Sequence, residues 1–198
     1  MTSCDRLPGI FAHGGVLSYS ERQARGIAEP TKAHYWGSTG KKDELGDYVI
    51  CSFMPPWWMC KARDEELAIV LLDAQSICAR PDARFCPVNS AFNDYSAEAI
   101  RGRQGLPAFD ECFENNVTYQ AGAAEVFVPR IVPLAAFREI IFPDDEARAH
   151  WTVRINQTEY AIEPEPELPT EPIRTYVRSG LRFGFPGNYA PTRRVRDV

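Results

Sequence analysis

The apolar segments of this 198-residue chain are short, and their shortness limits what the chain can fold into. The longest uninterrupted apolar runs, such as Leu67–Leu72, have the length of a single β-strand. None approaches the roughly 18–20 apolar residues that a membrane-spanning helix requires. Because 44% of the residues are nevertheless hydrophobic, we expect a globular protein with a packed core and no association with membranes.

Short strand candidates and short helix candidates follow one another along the chain, which predicts an α+β fold. Strands are expected at residues 47–53, 67–72, 84–86, 123–129 and 140–142. Helices are expected from residue 7 to the glycine pair at 14–15, and at residues 19–28, 74–79, 95–101 and 134–139. Residues 103–120 show little periodicity and are expected to form a loop.

Charge is distributed unevenly along the chain, whose formal net charge of −5 does not favour nucleic-acid binding by the protein as a whole. Residues 163–172 are acidic and rich in proline, which is typical of an extended linker. The residues that follow carry six arginines: Arg174, Arg178, Arg182, Arg193, Arg194 and Arg196. We predict a main domain at 1–160, a linker at 161–172 and a basic extension at 173–198. The extension either contacts phosphate or balances the preceding acids as a solvated C-terminus.

The six cysteines form no metal-ligand pattern. The sequence has no Cys-x-x-Cys pair, and its three histidines are scattered. Because closed zinc sites need paired ligands at short spacing, we expect buried, reduced thiols and no metal. The N-terminus also lacks the charged-then-apolar layout of a secretion signal, which favours a cytoplasmic location.

One carboxylate interrupts an otherwise apolar strand candidate. Residues 123–129 read Ala-Ala-Glu-Val-Phe-Val-Pro, in which Glu125 is the single charge. A buried acid is costly unless it has a partner or a role. Two interpretations are open: Glu125 is a buried functional acid, or it lies on the solvent face of an edge strand.

Five short segments form an ordered series of motifs. They are 2–10 (Thr-Ser-Cys-Asp-Arg-Leu-Pro-Gly-Ile), 15–17 (Gly-Val-Leu), 47–55 (Asp-Tyr-Val-Ile-Cys-Ser-Phe-Met-Pro), 85–89 (Phe-Cys-Pro-Val-Asn) and 123–137, which joins Ala-Ala-Glu-Val-Phe-Val to Val-Pro-Leu-Ala-Ala-Phe. In this order and spacing they resemble the motifs of the DarT family of bacterial toxins, which transfer ADP-ribose from NAD to bases in single-stranded DNA. The resemblance covers residues 2–145, and nothing beyond the linker is matched.

The resemblance implies an ADP-ribosyltransferase-like fold, with central twisted, mixed and antiparallel β-sheets flanked by short helices. It implies NAD as co-substrate, no metal, and single-stranded DNA or another nucleic acid as acceptor. It further implies a toxin or phage-defence effector whose antitoxin partner is a macrodomain-type hydrolase. Cleavage of the nicotinamide bond builds positive charge on the ribose, as in glycoside hydrolysis. Glu125 stands where the family has the glutamate that stabilises this charge.

The resemblance assigns cofactor binding to Thr2, Ser3, Gly9, Tyr48 and Phe53. Tyr48 and Phe53 would provide an aromatic wall for the nicotinamide. Their alternation along one strand equally favours positions in the core.

Two cofactor-binding features of the family have no direct counterpart here. The family's first-strand histidine would fall one residue before Met1. Either this sequence is truncated, or Ser3 or another group substitutes for the histidine. The family's phosphate-pairing arginine is also missing from residues 27–36. The candidates for its role are Arg22, Arg25, Lys32 and His34.

The acceptor is expected to contact the loop that precedes Glu125 and the loop that carries Asn89. The proposed acceptor contacts are Asn89, Phe109, Phe113 and Tyr119. The aromatic rings either stack on an unpaired base or pack together as a small core of the loop, and Asn89 is equally typical of a turn. The family's glutamine two residues before the catalytic glutamate is Ala123 here, so its base preference is not carried over.

Three functions are therefore considered. The first is ADP-ribosyl transfer to a nucleic-acid base. The second is NAD glycohydrolysis, with water as the acceptor. The third is a non-enzymatic module of the same fold that binds nucleic acid or a partner, which the missing histidine and arginine favour.

Overall fold

The computed structural model describes residues 1–27, 44–53, 66–90, 96–114, 124–158, 174–177 and 193–195. These residues form short strands and short helices, which confirms the predicted α+β class. The chain divides into two compact units. Unit 1 consists of Met1–Gly15, Pro55–Asp73 and Pro133–Val198, and unit 2 consists of Val16–Met54 and Ala74–Val132.

The elements are numbered in chain order. The strands are β1 (Thr2–Ser3), β2 (Gly15–Leu17), β3 (Tyr48–Ser52), β4 (Leu67–Leu72), β5 (Arg84–Cys86), β6 (Glu125–Pro129), β7 (Ile131–Pro133), β8 (Phe137–Phe142), β9 (Arg174–Val177) and β10 (Arg193–Val195). The α-helices are α1 (Leu7–Ala12), α2 (Tyr19–Ala24), α3 (Ala74–Cys78), α4 (Ala97–Gly102), α5 (Gly105–Glu114) and α6 (Asp145–Asn156). Short 3-10 turns occupy Cys4–Arg6 and Leu134–Ala136.

Unit 1 is built on a five-stranded sheet with the order β1-β4-β8-β9-β10. Strands β8 and β9 run parallel, and the other neighbours are antiparallel. Leu67, Ile69 and Ile141 are buried on β4 and β8 and form a core cluster. Helix α1 packs on α6, and the ring of Phe11 meets that of Phe137 edge to face with centroids 6.3 Å apart.

Unit 2 is built on a three-stranded antiparallel sheet in which β6 lies between β3 and β5. The first four residues of β6, from Glu125 to Val128, are all buried. A strand covered on both faces reads as a continuous apolar run instead of an alternating one, which explains the composition of residues 126–128. The core below it joins Phe127 to Cys86 on β5 and Ile100 on α4.

A two-stranded sheet pairs β2 with β7. The connection from β6 to β7 turns at Arg130, which adopts the left-handed φ of 62°. Its backbone closes the turn on both sides: the Arg130 N–H donates to the carbonyl of Asp47 at 2.8 Å, and its carbonyl accepts from the N–H of Ser18 at 2.7 Å.

The predicted strands at 67–72 and 84–86 are confirmed residue for residue. Those at 47–53 and 123–129 are confirmed within two residues at their ends. Helices α1 to α4 are also at their predicted places, although α2 ends at Ala24.

The prediction of a loop at 103–120 is wrong for residues 105–114, which form helix α5. Gly105 and Pro107 suggest a break in the helix, but both lie in its first turn. Backbone N–H groups there have no partner within the helix, so a proline costs little. Gly105 has a φ of 76°, which only glycine adopts without strain.

The prediction of a helix at 134–139 is wrong beyond residue 136, because strand β8 begins at Phe137. Periodicity also fails to predict helix α6, whose apolar side chains do not line up on one face. The sequence features that indicate this helix are at its N-terminal end. The Asp144 carboxylate accepts from the Ala147 N–H at 2.8 Å, and acids occupy the first turn.

The division into a domain at 1–160, a linker at 161–172 and an extension at 173–198 stays a prediction. Residues 161–172 lie outside the described residues. Of the extension, residues 174–177 and 193–195 are strands β9 and β10, which belong to the sheet of unit 1. No helix within the described ranges is long and apolar enough to cross a membrane.

Candidate active site

Glu125 is the first residue of the central strand of unit 2 and is only 7% exposed. Antiparallel pairing places Ser52 of β3 directly opposite it on one side and Cys86 of β5 on the other. The interpretation of Glu125 as a solvent-facing residue on an edge strand is therefore wrong. The sheet instead holds a carboxylate between two strands, where water cannot surround it.

The Glu125 carboxylate is fixed by a backbone donor. The Ser90 N–H donates a hydrogen bond of 2.9 Å to Oε2 of Glu125. Ser90 is itself only 3% exposed, so this contact is shielded from solvent. Hydrogen bonds to an ionised acceptor are stronger than those between neutral groups. The segment after β5, which also carries Asn89, thus holds the carboxylate in one orientation.

Two side chains flank this carboxylate across the sheet. Directly opposite residues of antiparallel strands have Cβ atoms about 4.5–5.5 Å apart, which places the Ser52 hydroxyl and the Cys86 thiol beside Glu125. Cys86 is fully buried and belongs to the core, whereas Ser52 is exposed. Of these two neighbours, Ser52 is the one that a bound molecule can reach.

An aromatic cluster of unit 2 lies beside Glu125 through strand pairing, since Phe85 is opposite Val126. The Phe53 ring is stacked on Phe85 with centroids 6.5 Å apart, and Phe109 of α5 contacts both at 5.9 and 5.5 Å. The Phe53 N–H donates to the carbonyl of Ala124 at 3.1 Å, the residue before Glu125. The structure thus brings together a predicted cofactor contact, Phe53, and a predicted acceptor contact, Phe109.

Tyr48 packs away from this cluster. Its ring meets that of Phe127 edge to face at 6.1 Å, in the core that also holds Cys86. Its predicted role beside the nicotinamide stays a prediction, as does that of Phe53.

The predicted cofactor residues of unit 1 lie on its first strand and first helix. Thr2 pairs with Ala68 and Ser3 with Leu67 in the β1–β4 ladder. Gly9 is exposed on α1, and a Cβ added there would meet nothing within 4 Å. A larger side chain would therefore be tolerated sterically at Gly9, and its role in cofactor binding stays a prediction.

Arg25, a candidate for the phosphate-binding role, lies just after α2 in an ion-pair network. Its Nε is 2.9 Å from Oε1 of Glu21, and the Arg130 Nε is 3.0 Å from the other oxygen. These hydrogen bonds, from Arg130 first and Arg25 second, hold the pKa of Glu21 below its usual value. Glu21 thus keeps two guanidinium groups close to each other on unit 2.

Several predicted cofactor and acceptor residues have side chains that the structure does not describe. Lys32, His34 and Tyr119 lie outside the described residues, and Phe113 falls within helix α5. Their roles stay predictions.

Burial disfavours the thiolate form of two cysteines of unit 2. Burial raises the pKa of Cys51 to about 12 and that of Cys112 to about 12, and only the thiolate attacks. The described ranges contain five cysteines that form no disulfide bond: Cys4, Cys51, Cys78, Cys86 and Cys112. The same ranges contain no group of three or more His, Cys, Asp or Glu side chains arranged to hold a metal ion.

Comparison with solved structures shows the fold. Thermosipho africanus DarTG in complex with ADP-ribose matches with a TM-score of 0.56 and 21% identity, over 87% of this chain and 50% of that chain. Thermus sp. 2.9 DarT in complex with NAD+ matches with a TM-score of 0.52 and 15% identity, over 89% and 92% of the two chains. The same protein in complex with ADP-ribosylated single-stranded DNA matches with a TM-score of 0.51 and 16% identity, over 83% and 89%.

The chain has the fold of these DarT structures, as the sequence motifs suggested. It spans half the length of the Thermosipho africanus DarTG chain. No protein-family model matches the sequence, and no curated protein matches it significantly.

Proposed function

We propose that this chain is an NAD-dependent ADP-ribosyltransferase that transfers ADP-ribose to a base of single-stranded DNA. The observation that carries the proposal is the buried Glu125 carboxylate, held by the Ser90 N–H at 2.9 Å at the start of the central strand. A buried acid on an otherwise apolar strand is costly to keep. A protein of this fold has been solved in complex with NAD+ and with ADP-ribosylated single-stranded DNA. Transfer of ADP-ribose from NAD+ to single-stranded DNA is a reaction that needs such an acid.

The proposed chemistry is substitution at the anomeric carbon of the nicotinamide ribose. The bond from this carbon to the nicotinamide nitrogen breaks, and nicotinamide leaves with the bonding electrons. Positive charge then develops on the ribose, as in glycoside hydrolysis. Glu125 accepts a hydrogen bond from a ribose hydroxyl and stabilises this charge. A nitrogen of the base forms the new bond, and its proton passes to water.

The remaining roles follow from the same proposal. Phe53, beside the chain at Ala124, provides an apolar wall for the nicotinamide. Arg25 lies with Arg130 around Glu21 and, with His34, is the candidate for the NAD phosphates. Asn89, next to the residue that holds Glu125, contacts the acceptor.

A macrodomain-type hydrolase that removes the ADP-ribose is the proposed antitoxin partner, and a toxin or phage-defence effector acting in the cytoplasm is the proposed biological role. Both rest on the motif resemblance. If they hold, expression of the chain arrests bacterial growth and co-expression of a DNA-directed ADP-ribosyl hydrolase restores it. Growth arrest that Glu125→Gln does not relieve would contradict both.

The direct test incubates the protein with labelled NAD and with single-stranded DNA, RNA or protein as acceptor. We expect label on the DNA, and a loss of about 10²–10³-fold in rate for Glu125→Gln, the usual cost of removing one electrostatic stabiliser of a transition state. Glu139→Gln on β8 is the matched control and keeps wild-type activity.

Three outcomes would contradict the proposal in different ways. Label on protein alone would make the acceptor wrong. Nicotinamide release without a labelled macromolecule would identify a glycohydrolase. An absence of NAD binding by calorimetry, with a folded protein, would identify a non-enzymatic module.

A further inference from the structure

Unit 1 has an open pocket that the proposed reaction does not use. Its volume is about 420 Å³, within the range of small-molecule sites. It is lined by Asp5, Pro8, Trp151, Arg154, Gln157 and Thr158. One wall is therefore the start of the chain, and the other is the C-terminal half of helix α6 and the residues after it.

The indole of Trp151 is held in place within this pocket. Its Nε1–H donates to the Glu66 carboxylate at 2.8 Å. The His150 ring meets it edge to face at 4.8 Å, and the guanidinium carbon of Arg154 lies 5.6 Å from its centroid. Trp151 therefore presents a pre-positioned aromatic surface with a cation beside it.

This combination suits a nucleotide better than other small ligands. Bases stack on aromatic rings and on guanidinium planes, with about 1–3 kcal/mol per base, and a guanidinium also binds phosphate. The Gln157 amide and the Asp5 carboxylate provide hydrogen-bonding groups for the edge of a base.

Strands β9 and β10 of the same unit contain arginines in their sequence. Helix α6 packs on β9, whose first residue is Arg174, and β9 pairs with β10, which carries Arg193 and Arg194. Clustered arginines bind the phosphates of a single strand irrespective of its sequence. The described parts of the arginine-rich segment, β9 and β10, thus belong to the five-stranded sheet of unit 1.

We propose that the Trp151 pocket binds one nucleotide of single-stranded DNA, with its base stacked on Trp151 and Arg154 and its phosphate on Arg154. The Asp5 carboxylate accepts a hydrogen bond from the exocyclic amino group of the base, which adenine and cytosine have and thymine lacks. That this strand is also the acceptor rests on the proposed function; the binding itself does not.

The test measures the affinity of the whole chain for labelled 20-mers of dA, dC and dT by fluorescence anisotropy without NAD. We expect Trp151→Ala and Arg154→Ala each to weaken the binding of dA and dC by about tenfold, within the range for loss of one stacked base. Trp151→Phe keeps a ring and most of the affinity. Val153→Ala, exposed on the same helix, is the matched control and changes nothing.

Two further measurements identify the contacts. Arg154→Ala should lower the slope of log Kd against log salt by about 0.7, the value for one phosphate contact on a single strand. The wild type should bind dA and dC more tightly than dT, and Asp5→Ala, which removes the acceptor, should remove this preference. Equal binding of all three 20-mers by the wild type would overturn the role of Asp5.

Unchanged affinity in both Trp151→Ala and Arg154→Ala, with wild-type thermal unfolding, would overturn the proposed site. Glu125→Gln separates it from the proposed reaction, because this variant should bind the 20-mers as the wild type does. Pocket variants that bind normally while the wild type modifies DNA would refute the pocket alone. Binding that depends on Trp151 without any ADP-ribosyl transfer would refute the reaction alone.

Discussion

The central strands of the two units, β8 in unit 1 and β6 in unit 2, hold their acidic and basic side chains in opposite environments, one exposed and one buried. Strand β8 places Arg138 at an exposed position, where its guanidinium meets the Asp73 carboxylate at 2.6 Å. Strand β6 begins instead with Glu125, which is buried and held by a backbone N–H. Exposed ion pairs of the first kind contribute little to stability. A buried acid such as Glu125 is retained where the chemistry of a site depends on it.

The two units also differ in where the groups proposed for catalysis and for nucleic-acid binding are found. In unit 2 they lie in and next to the sheet, around Glu125 and the Phe53 cluster. In unit 1 the described strands β4 and β8 are largely apolar, and Trp151 and Arg154 lie on a helix outside them. A buried group fixed by a sheet suits catalysis, which needs precise geometry, whereas an open helix surface suits the binding of a long, variable strand.

The largest expected effect tests whether both central strands depend equally on their apolar cores. Phe127 on β6 and Phe142 on β8 are both fully buried. We expect Phe127→Ala and Phe142→Ala each to lower the free energy of unfolding by about 3–5 kcal/mol, the usual cost of such truncations. Urea unfolding followed by circular dichroism measures the loss, and Leu106→Ala, 75% exposed, is the control. A loss below about 1 kcal/mol for either variant would show that the two strands do not depend equally on their apolar cores.

A smaller effect concerns the helix that each sheet supports. Asp144 caps α6 in unit 1 by accepting from the Ala147 N–H at 2.8 Å, and Ser96 caps α4 in unit 2 by accepting from the Ala99 N–H at 3.1 Å. Each substitution by alanine should cost about 1 kcal/mol. The loss should be larger for Asp144, since its charge also interacts with the helix dipole. Equal losses in 1 M salt and in dilute buffer would show that this charge contributes nothing.

The smallest effect concerns Glu21 and its two arginines. Its pKa is lowered in the folded chain, so its contribution to stability is present above the unfolded pKa and is lost as the pH falls through the lowered value. Glu21→Gln should therefore lower the midpoint of thermal unfolding by no more than about 2–4 °C at pH 7. The difference should vanish at acidic pH, and exposed Glu44→Gln is the control. A difference that persists in acid would mean that packing, and not charge, explains the effect.

The sequence predicted an element correctly wherever the residues of that element alone determine its structure. Residues 67–72 are an apolar run between polar residues, and they form β4 without a shift at either end. Helix α6 shows the limit of this approach, because its side chains lack an apolar stripe and its evidence lies in the Asp144 cap. Helix α5 was not predicted, because Gly105 and Pro107 interrupt a helix at most positions but not in its first turn.

The site was less predictable than the fold because its contacts join distant residues. A lone acid in an apolar strand indicated Glu125. Nothing local indicated Ser90, which lies 35 positions earlier and acts through its backbone. Ser52 and Cys86 are neighbours of Glu125 only through the register of three strands, and single-sequence patterns do not contain that register.

The interleaving of the two units has a consequence for biosynthesis. When a ribosome has made residue 132, every segment of unit 2 exists, including Glu125 and its sheet. The sheet of unit 1 then has β1 and β4, but it lacks β8, the partner that pairs with β4. A nascent chain at that stage exposes an unpaired apolar edge, which favours aggregation. A premature stop near residue 132 should therefore yield an insoluble fragment.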